Sequence, residues 1–146
     1  MSNQIVYPIA DTYVGNWTGE GGETSNLYTH IDETSANDSD FVKSENDPSA
    51  SPVVFQLGSL DDPGVGTAHV LSYHYGKELI DGSGINLTVQ IRQDYVNEGS
   101  QGTLIAEWVH SDIGTVINAD GTLSAAQAGS ITDYTSLFIR FVADTV

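Results

Sequence analysis

The sequence predicts an all-β protein, specifically an antiparallel β-sandwich or jelly roll of about eight short strands. Apolar and polar residues alternate over several short stretches, as expected for strands with one buried face. Clusters of Gly, Pro, Asn, Asp and Ser separate those stretches and mark turns. Helix signals are confined to one short turn near Ser124 to Ala128. At 146 residues the chain is most simply one domain.

The N-terminal residues 1–10 are predicted to form an extended arm, and residues 11–146 to form a single β-sandwich domain. Ile5, Tyr7 and Ile9 alternate along the arm, while Pro8 favours a strand edge or a segment laid over the domain. An arm of this kind can become ordered on a partner surface. We therefore take Ile5, Tyr7 and Ile9 as candidate binding residues.

The middle of the chain reads as short strands separated by polar turns. The cleanest is Ile85–Arg92, which follows a Gly-rich turn at Asp81–Gly84 and should place its apolar side in the core and its polar side in water. Residues 103–110 should return antiparallel to it. The remaining expected strands are 27–31, 41–43, 53–57 and 69–75.

The C-terminal stretch is predicted to contain a capped helical turn, a corner and a final strand. Ser124 is a suitable N-cap, Gly129 could end the turn in a left-handed conformation, and Asp133 with Tyr134 should form the corner. From Leu137 onward the pattern has period two, and a strand this apolar should pair inside a sheet.

The charge balance restricts the classes of partner. Four Lys and Arg residues stand against 20 Asp and Glu, for a formal net charge of −16. Such a chain is repelled by phosphate backbones and anionic membranes, so neither nucleic acid nor a membrane is an expected partner. No apolar run approaches the roughly 18 residues of a membrane span, and the N-terminus lacks signal-peptide features, so we expect a soluble product. The absence of Cys excludes disulfides and thiol catalysis.

The densest acidic stretch suggests a calcium site. Asp32, Asp38 and Asp40 are close enough in sequence to supply oxygen ligands, although the full EF-hand pattern is missing. The alternative is a loop whose carboxylates accept hydrogen bonds from neighbouring backbone N–H groups. Apart from this calcium site, we expect no cofactor.

No catalytic signature is present. The four histidines show no zinc spacing, and there is no nucleophile elbow, P-loop or dinucleotide fingerprint. Two carboxylates across a cleft would suffice for glycosidase chemistry, but 20 acidic residues make any chosen pair unspecific. The sequence therefore predicts a protein that is not an enzyme.

Several aromatic residues could stack on a sugar ring. The candidates are Tyr13, Trp17, Tyr28 and Tyr95. Core packing is nevertheless the preferred interpretation for Trp17, and also for Trp108, which shares a strand face with Leu104 and Ala106.

Across nearly its whole length, the sequence resembles a recurrent β-sandwich module of tailed-bacteriophage virion proteins. The most specific pieces are Ile31-Asp32-Glu33 followed by Asp38-Ser39-Asp40-Phe41, and Ile131-Thr132-Asp133-Tyr134 before the last strand. The resemblance rests on the order of five segments: PIADTYVGNWT, LYTHIDETSANDSDFV, VVFQLGSLDDPG, HVLSYHY and LSAAQAGSITDYTSLFIRFVA. An acidic insert at Gly19–Glu23 departs from the pattern and puts the role of Trp17 in doubt.

The resemblance implies a jelly-roll-like structural protein, most like a capsid decoration (cement) protein. Its implied partner is the phage major capsid protein, and its implied state is a homotrimer over a symmetry axis of the shell. It would be made in the host cytoplasm and end on the capsid exterior at the virion surface. Cement of this kind stabilises the shell by burying area that only the assembled lattice presents.

Two other classes compete with this interpretation. A carbohydrate-binding module, or a receptor-binding component of a phage tail or fibre, would share the fold and would require two or three of the candidate aromatics exposed in one plane. An enzyme would require a deep pocket lined by two converging carboxylates.

Overall fold

A computed structural model describes residues 3–35, 37–77, 84–114 and 116–146. Within these ranges the chain forms nine β-strands, one 3₁₀-helix and one short α-helix, which confirms the all-β prediction. The elements in chain order are β1 (Pro8–Tyr13), β2 (Thr18–Gly19), the 3₁₀-helix (Leu27–His30), β3 (Val42–Lys43), β4 (Ser51–Leu57), β5 (Val70–Tyr75), β6 (Ile85–Gln93), β7 (Thr103–His110), β8 (Ile117–Thr122), α1 (Ala125–Gly129) and β9 (Leu137–Thr145).

Five strands form the main sheet, in the order β1-β4-β9-β6-β7, and every neighbouring pair is antiparallel. The final strand β9 lies at the centre, between β4 and β6, as its apolar pattern predicted. Two smaller sheets are the β2–β3 and β5–β8 pairs. The two edges of the main sheet are therefore β1 and β7.

The inner face of the main sheet carries the core. Val53 and Phe55 of β4, Val89 of β6 and Ile139 of β9 are buried in one hydrophobic cluster. The β5–β8 pair covers this face, because alternate residues of β5 point toward the core. Those residues are Leu71, Tyr73 and Tyr75. The result is a two-layer sandwich.

The outer face of the main sheet is less open to water than the sequence predicted. Gln90, on the polar side of β6, is only 6% exposed. The turn that follows β6 brings Tyr95 against Phe138 of β9, with ring centroids 5.8 Å apart. That turn also brings Glu98 to Arg140, with an Oε1–Nη2 distance of 2.6 Å. The polar side of β6 is thus partly covered by a second, smaller cluster.

The segment 27–31 was predicted to be a strand, and this prediction is wrong: it begins with the 3₁₀-helix. The carboxylate of Asp11 in β1 accepts hydrogen bonds from the backbone N–H groups of Leu27 and Tyr28, at 2.9 and 2.8 Å. These bonds satisfy the first donors of the helical turn and fix it beside β1. Leu27 is fully buried as a consequence.

The C-terminal predictions hold with one exception. Ser124 caps α1 in a capping box, with Gln127 Oε1 accepting from the Ser124 N–H and Ser124 Oγ accepting from the Gln127 N–H. Asp133 forms the expected corner by accepting from the N–H and hydroxyl of Thr135. Gly129 is not in the left-handed region; the helix ends instead at Ser130 in a right-handed conformation.

Part of the predicted N-terminal arm belongs to the main sheet, because Pro8–Ala10 lie in β1. Met1 and Ser2 of the arm, and most of the predicted turn at Asp81–Gly84, lie outside the described residues. In the part of the chain that the structure covers, no helix is long and apolar enough to cross a membrane.

Candidate docking surface

The N-terminal segment presents apolar side chains outward while its other side is tied to the domain. Gln4 exchanges two hydrogen bonds with the backbone of Asp61, at 3.0 and 2.8 Å. Val6 packs against the main core, and the Tyr7 carbonyl accepts from the Gly58 N–H at 3.1 Å. Ile5, in contrast, is 73% exposed. The segment is therefore held in an extended form that fixes which side faces out.

The outward side continues into β1. Ile9 is 51% exposed, whereas Tyr7 is half-buried. The pairing of β1 with β4 shifts register between Pro8 and Ala10, so Ile9 sits at the irregularity. A proline at the first residue of an edge strand leaves the ladder intact, because no neighbour needs its missing N–H. We call Ile5 and Ile9 the N-terminal strip.

The charges beside the N-terminal strip are negative. Asp61, which holds Gln4, and Asp62 are both exposed. No lysine or arginine lies within residues 3–35. An apolar strip edged by carboxylates is complementary to an apolar surface edged by basic or hydrogen-bond-donating groups.

The structure separates the four candidate sugar-stacking residues by burial. Tyr13 is 38% exposed and Tyr28 is half-buried, but Trp17 and Tyr95 are only 7% and 4% exposed. Trp17 donates its indole N–H to the carbonyl of Ser51, and Tyr95 donates its hydroxyl to Glu98. Trp17 and Tyr95 are therefore core residues, and the four aromatics do not form an exposed platform.

The three candidate calcium ligands are directed to different partners. Asp38 Oδ1 lies 2.6 Å from His74 Nε2, and Asp40 Oδ1 lies 2.5 Å from His30 Nδ1. The hydrogen bond between His30 and Asp40 raises the pKa of His30 and lowers the pKa of Asp40. Asp32 is exposed. Across the described ranges, no three His, Asp or Glu side chains are grouped so that they could hold a metal ion.

Two of the open depressions on the described surface each contain a single carboxylate. The larger, of about 450 Å³, is lined by Tyr75, Val109, His110 and Ile117 among others, with Asp112 as its one carboxylate. The smaller, of about 280 Å³, has Asp62 as its one carboxylate. Neither meets the requirement of two converging acids for glycosidase chemistry.

Sequence reasoning missed a group of aromatic residues at the larger depression. His110 Nε2 lies 2.6 Å from the Tyr73 hydroxyl, and His110 Nδ1 lies 2.9 Å from the Tyr75 hydroxyl. Burial lowers the pKa of His110 and raises the pKa values of both tyrosines. A strand places Tyr73 and Tyr75, two residues apart, on one face. The sequence could not show that β7 would bring His110 to both of their hydroxyl groups.

Comparison with known protein-family models found no match, and neither curated proteins nor solved structures gave one. The fold defines the class to which the chain belongs, an all-β antiparallel sandwich. Among the features that face outward in the described part of the chain are the N-terminal strip and the edge of β7.

Proposed function

We propose that this protein is a non-enzymatic virion structural protein, a decoration (cement) protein that binds the outside of a tailed-phage capsid. Its partner is the major capsid protein, and it acts as a homotrimer. The proposal combines the sequence resemblance to phage virion modules with the geometry of the N-terminal strip. The strip is the observation that carries it, because Ile5 and Ile9 are exposed on a segment whose opposite side is hydrogen-bonded in place.

The fixed backbone of the strip favours binding. A segment that is already extended and tied to the domain loses little conformational entropy when a partner covers it. Full burial of an isoleucine side chain contributes about 1.5–3 kcal/mol, so two of them supply a modest affinity per copy. A repeating shell offers many such contacts to an oligomer, and the linked copies then bind far more tightly than one.

The charge distribution supports an exterior location. A net charge of −16 keeps the outer surface hydrated and limits nonspecific association. It also opposes contact with packaged nucleic acid. The shell surface under the strip should therefore offer apolar groups next to basic side chains, which would meet Asp61 and Asp62.

The burial of two candidate aromatic residues argues against the carbohydrate-binding alternative. It required several of the four candidate aromatics to be exposed in one plane, and Trp17 and Tyr95 are buried. Tyr13 is 38% exposed and Tyr28 is half-buried, so one mostly open ring remains where two or three were required.

The proposal is tested by co-sedimentation with expanded, undecorated capsids of the phage that encodes the chain. The test variant is Ile5→Ser with Ile9→Ser. The matched control is Val65→Ser with Val70→Ser, which removes two other apolar side chains that are 41% and 54% exposed. We expect the test variant to lose about tenfold or more in affinity, equivalent to about 1.4 kcal/mol, and the control to bind like wild type. Equal pelleting of test variant and wild type would refute the role of the strip, and absence of wild-type pelleting would refute the function.

A further inference from the structure

The two edges of the main sheet are protected to different degrees. β1 begins with Pro8, shifts register twice against β4, and has the 3₁₀-helix fixed beside it by Asp11. Prolines, bulges and covering segments are the devices by which proteins prevent edge strands from pairing with other chains. β7 is longer, with eight residues, and has one register shift but neither proline nor lysine. No strand among the described residues pairs along its outer edge.

Exposed apolar side chains accompany this open edge. Leu104 and Val109, opposite Arg92 and Thr88 of β6, lie on the outer face of the sheet and are 43% and 60% exposed. A register shift between Ile91 and Arg92 places Leu104 on this face, so the prediction that Leu104 shares a face with Trp108 is wrong. Ile117, which lines the same depression as Val109, is 45% exposed. We call Leu104, Val109 and Ile117 the β7 patch.

The strand β7 carries little charge in a chain that is otherwise strongly acidic. It holds one carboxylate, Glu107, whose Oε2 accepts a hydrogen bond from Gln90 Nε2 at 2.6 Å. Beyond the strand, Asp112 lines the same depression as Val109 and Ile117. Arg92 is close enough to Glu107 to interact with its charge. Two copies of a chain with a net charge of −16 repel each other over most approaches. They can come into contact with least repulsion where charge is low or already compensated.

We propose that the β7 patch is the surface through which copies of this chain associate. The occupant is a second copy of the chain. Around a threefold axis, the apolar, weakly charged patch of each copy can meet the patches of both neighbours, which gives the closed homotrimer of the proposed function. A basic partner, by contrast, would be drawn to the acidic surfaces elsewhere. The inference rests on the proposed function and deepens it by naming the contact that builds the oligomer.

The position of the β7 patch leaves the N-terminal strip free. β1 and β7 are at opposite edges of the main sheet, four strand spacings or roughly 19 Å apart. Copies joined through β7 therefore keep their β1 edges turned outward. An oligomer built this way can present several N-terminal strips to one shell.

The test is the mass of the full-length protein in solution, by size-exclusion chromatography with light scattering and no capsid present. We expect wild type to be a multiple of the 15.6 kDa chain. Leu104→Lys with Val109→Lys should reduce it to 15.6 kDa. The matched control Val65→Lys with Val70→Lys adds the same charges at other exposed apolar positions and should leave the wild-type mass unchanged.

The milder variant Val109→Ser keeps the test valid if the lysines disturb folding, and it should raise the dissociation constant of the oligomer at least tenfold. A monomeric wild type, or an oligomer that survives both β7 variants, would overturn the inference. Failure of capsid binding with an intact β7-dependent oligomer would count only against the proposed function.

Discussion

Gly121 of β8 lies directly against the indole ring of Trp108 in β7, with no room for a Cβ atom between them. This contact sets how closely the β5–β8 pair approaches the main sheet. A side chain on Gly121 would push Trp108 away from Tyr73, whose ring centroid is 6.4 Å from that of Trp108. The close approach of the two layers therefore depends on a glycine at this position.

We expect Gly121→Ala to lower the free energy of unfolding by about 1–3 kcal/mol, because added atoms in a packed interior force neighbours to shift. Chemical denaturation monitored by tryptophan fluorescence measures the change. Gly129→Ala is the control, since nothing lies within 4 Å of the Cβ it would add. A Gly121→Ala protein as stable as wild type would show that the layers can separate without cost.

The ion pair between Arg140 and Glu98 should stabilise the outer face of the main sheet. Arg140 Nη2 and Nε donate to Glu98 at 2.6 and 3.1 Å, and the two side chains are 12% and 26% exposed. Arg140→Met leaves a half-buried carboxylate without its cation, so we expect a loss of about 1–3 kcal/mol, reduced from the fully buried case by solvent screening. The double variant Arg140→Met with Glu98→Gln should recover part of the lost stability, as measured by urea denaturation. If the single variant were no less stable than wild type, the pair would be structurally neutral.

The same pair should make stability fall in acid. Burial, the largest influence, raises the pKa of Glu98, but hydrogen bonds from Arg140 and Tyr95 outweigh it and bring the pKa below 4.5. A carboxylate with a lowered folded-state pKa contributes stability above its unfolded value and loses it as the pH falls through the folded one. Glu98→Gln should therefore flatten the decline of the melting temperature below pH 4.5. An unchanged decline would assign the acid sensitivity to other carboxylates.

His110 should remain neutral at a pH where a free histidine is half protonated. Burial lowers its pKa below 6.5. Its contribution to stability is present above pH 6.5 and is lost as the pH falls toward the folded-state pKa, because the unfolded chain binds the proton first. Titration of the ring C–H signal by NMR, assigned with His110→Gln, should give a midpoint below 6.5. A midpoint above that value would mean that the ring is more hydrated than its contacts with Tyr73 and Tyr75 suggest.

Calcium should have little effect on the protein. Asp38 and Asp40 already bind His74 and His30, and moving them to a shared ion would break both contacts. We expect the melting temperature to be the same in millimolar calcium and in EDTA. A calcium-dependent increase that disappears in Asp32→Asn, Asp38→Asn or Asp40→Asn would instead support the sequence-based prediction of a calcium site.

Local patterns were sufficient to predict the strands whose two faces differ in polarity. β6 alternates strictly between apolar and polar residues, and the Ser124–Gln127 capping box is a short-range signal. The segment at Leu27 was misassigned because its conformation depends on Asp11, which lies 16 residues earlier in the chain. No local pattern contains that information.

The candidate site was only partly predictable for the same reason. The alternation of Ile5 and Ile9 was visible in the sequence, but their outward orientation depends on the contact between Gln4 and Asp61. Trp17, for which burial was the preferred interpretation, and Tyr95 are both held inside, by hydrogen bonds to Ser51 and Glu98 respectively. Burial of an aromatic side chain is decided by tertiary packing rather than by its neighbours in the chain.

The most direct test of the proposed function is a cryo-electron microscopy difference map between expanded phage capsids with and without this protein. We expect added density on the capsid exterior, repeated at symmetry axes, with the β1 edge and the N-terminal strip against the shell. Density confined to the tail, or no added density at saturating protein, would refute the proposed function.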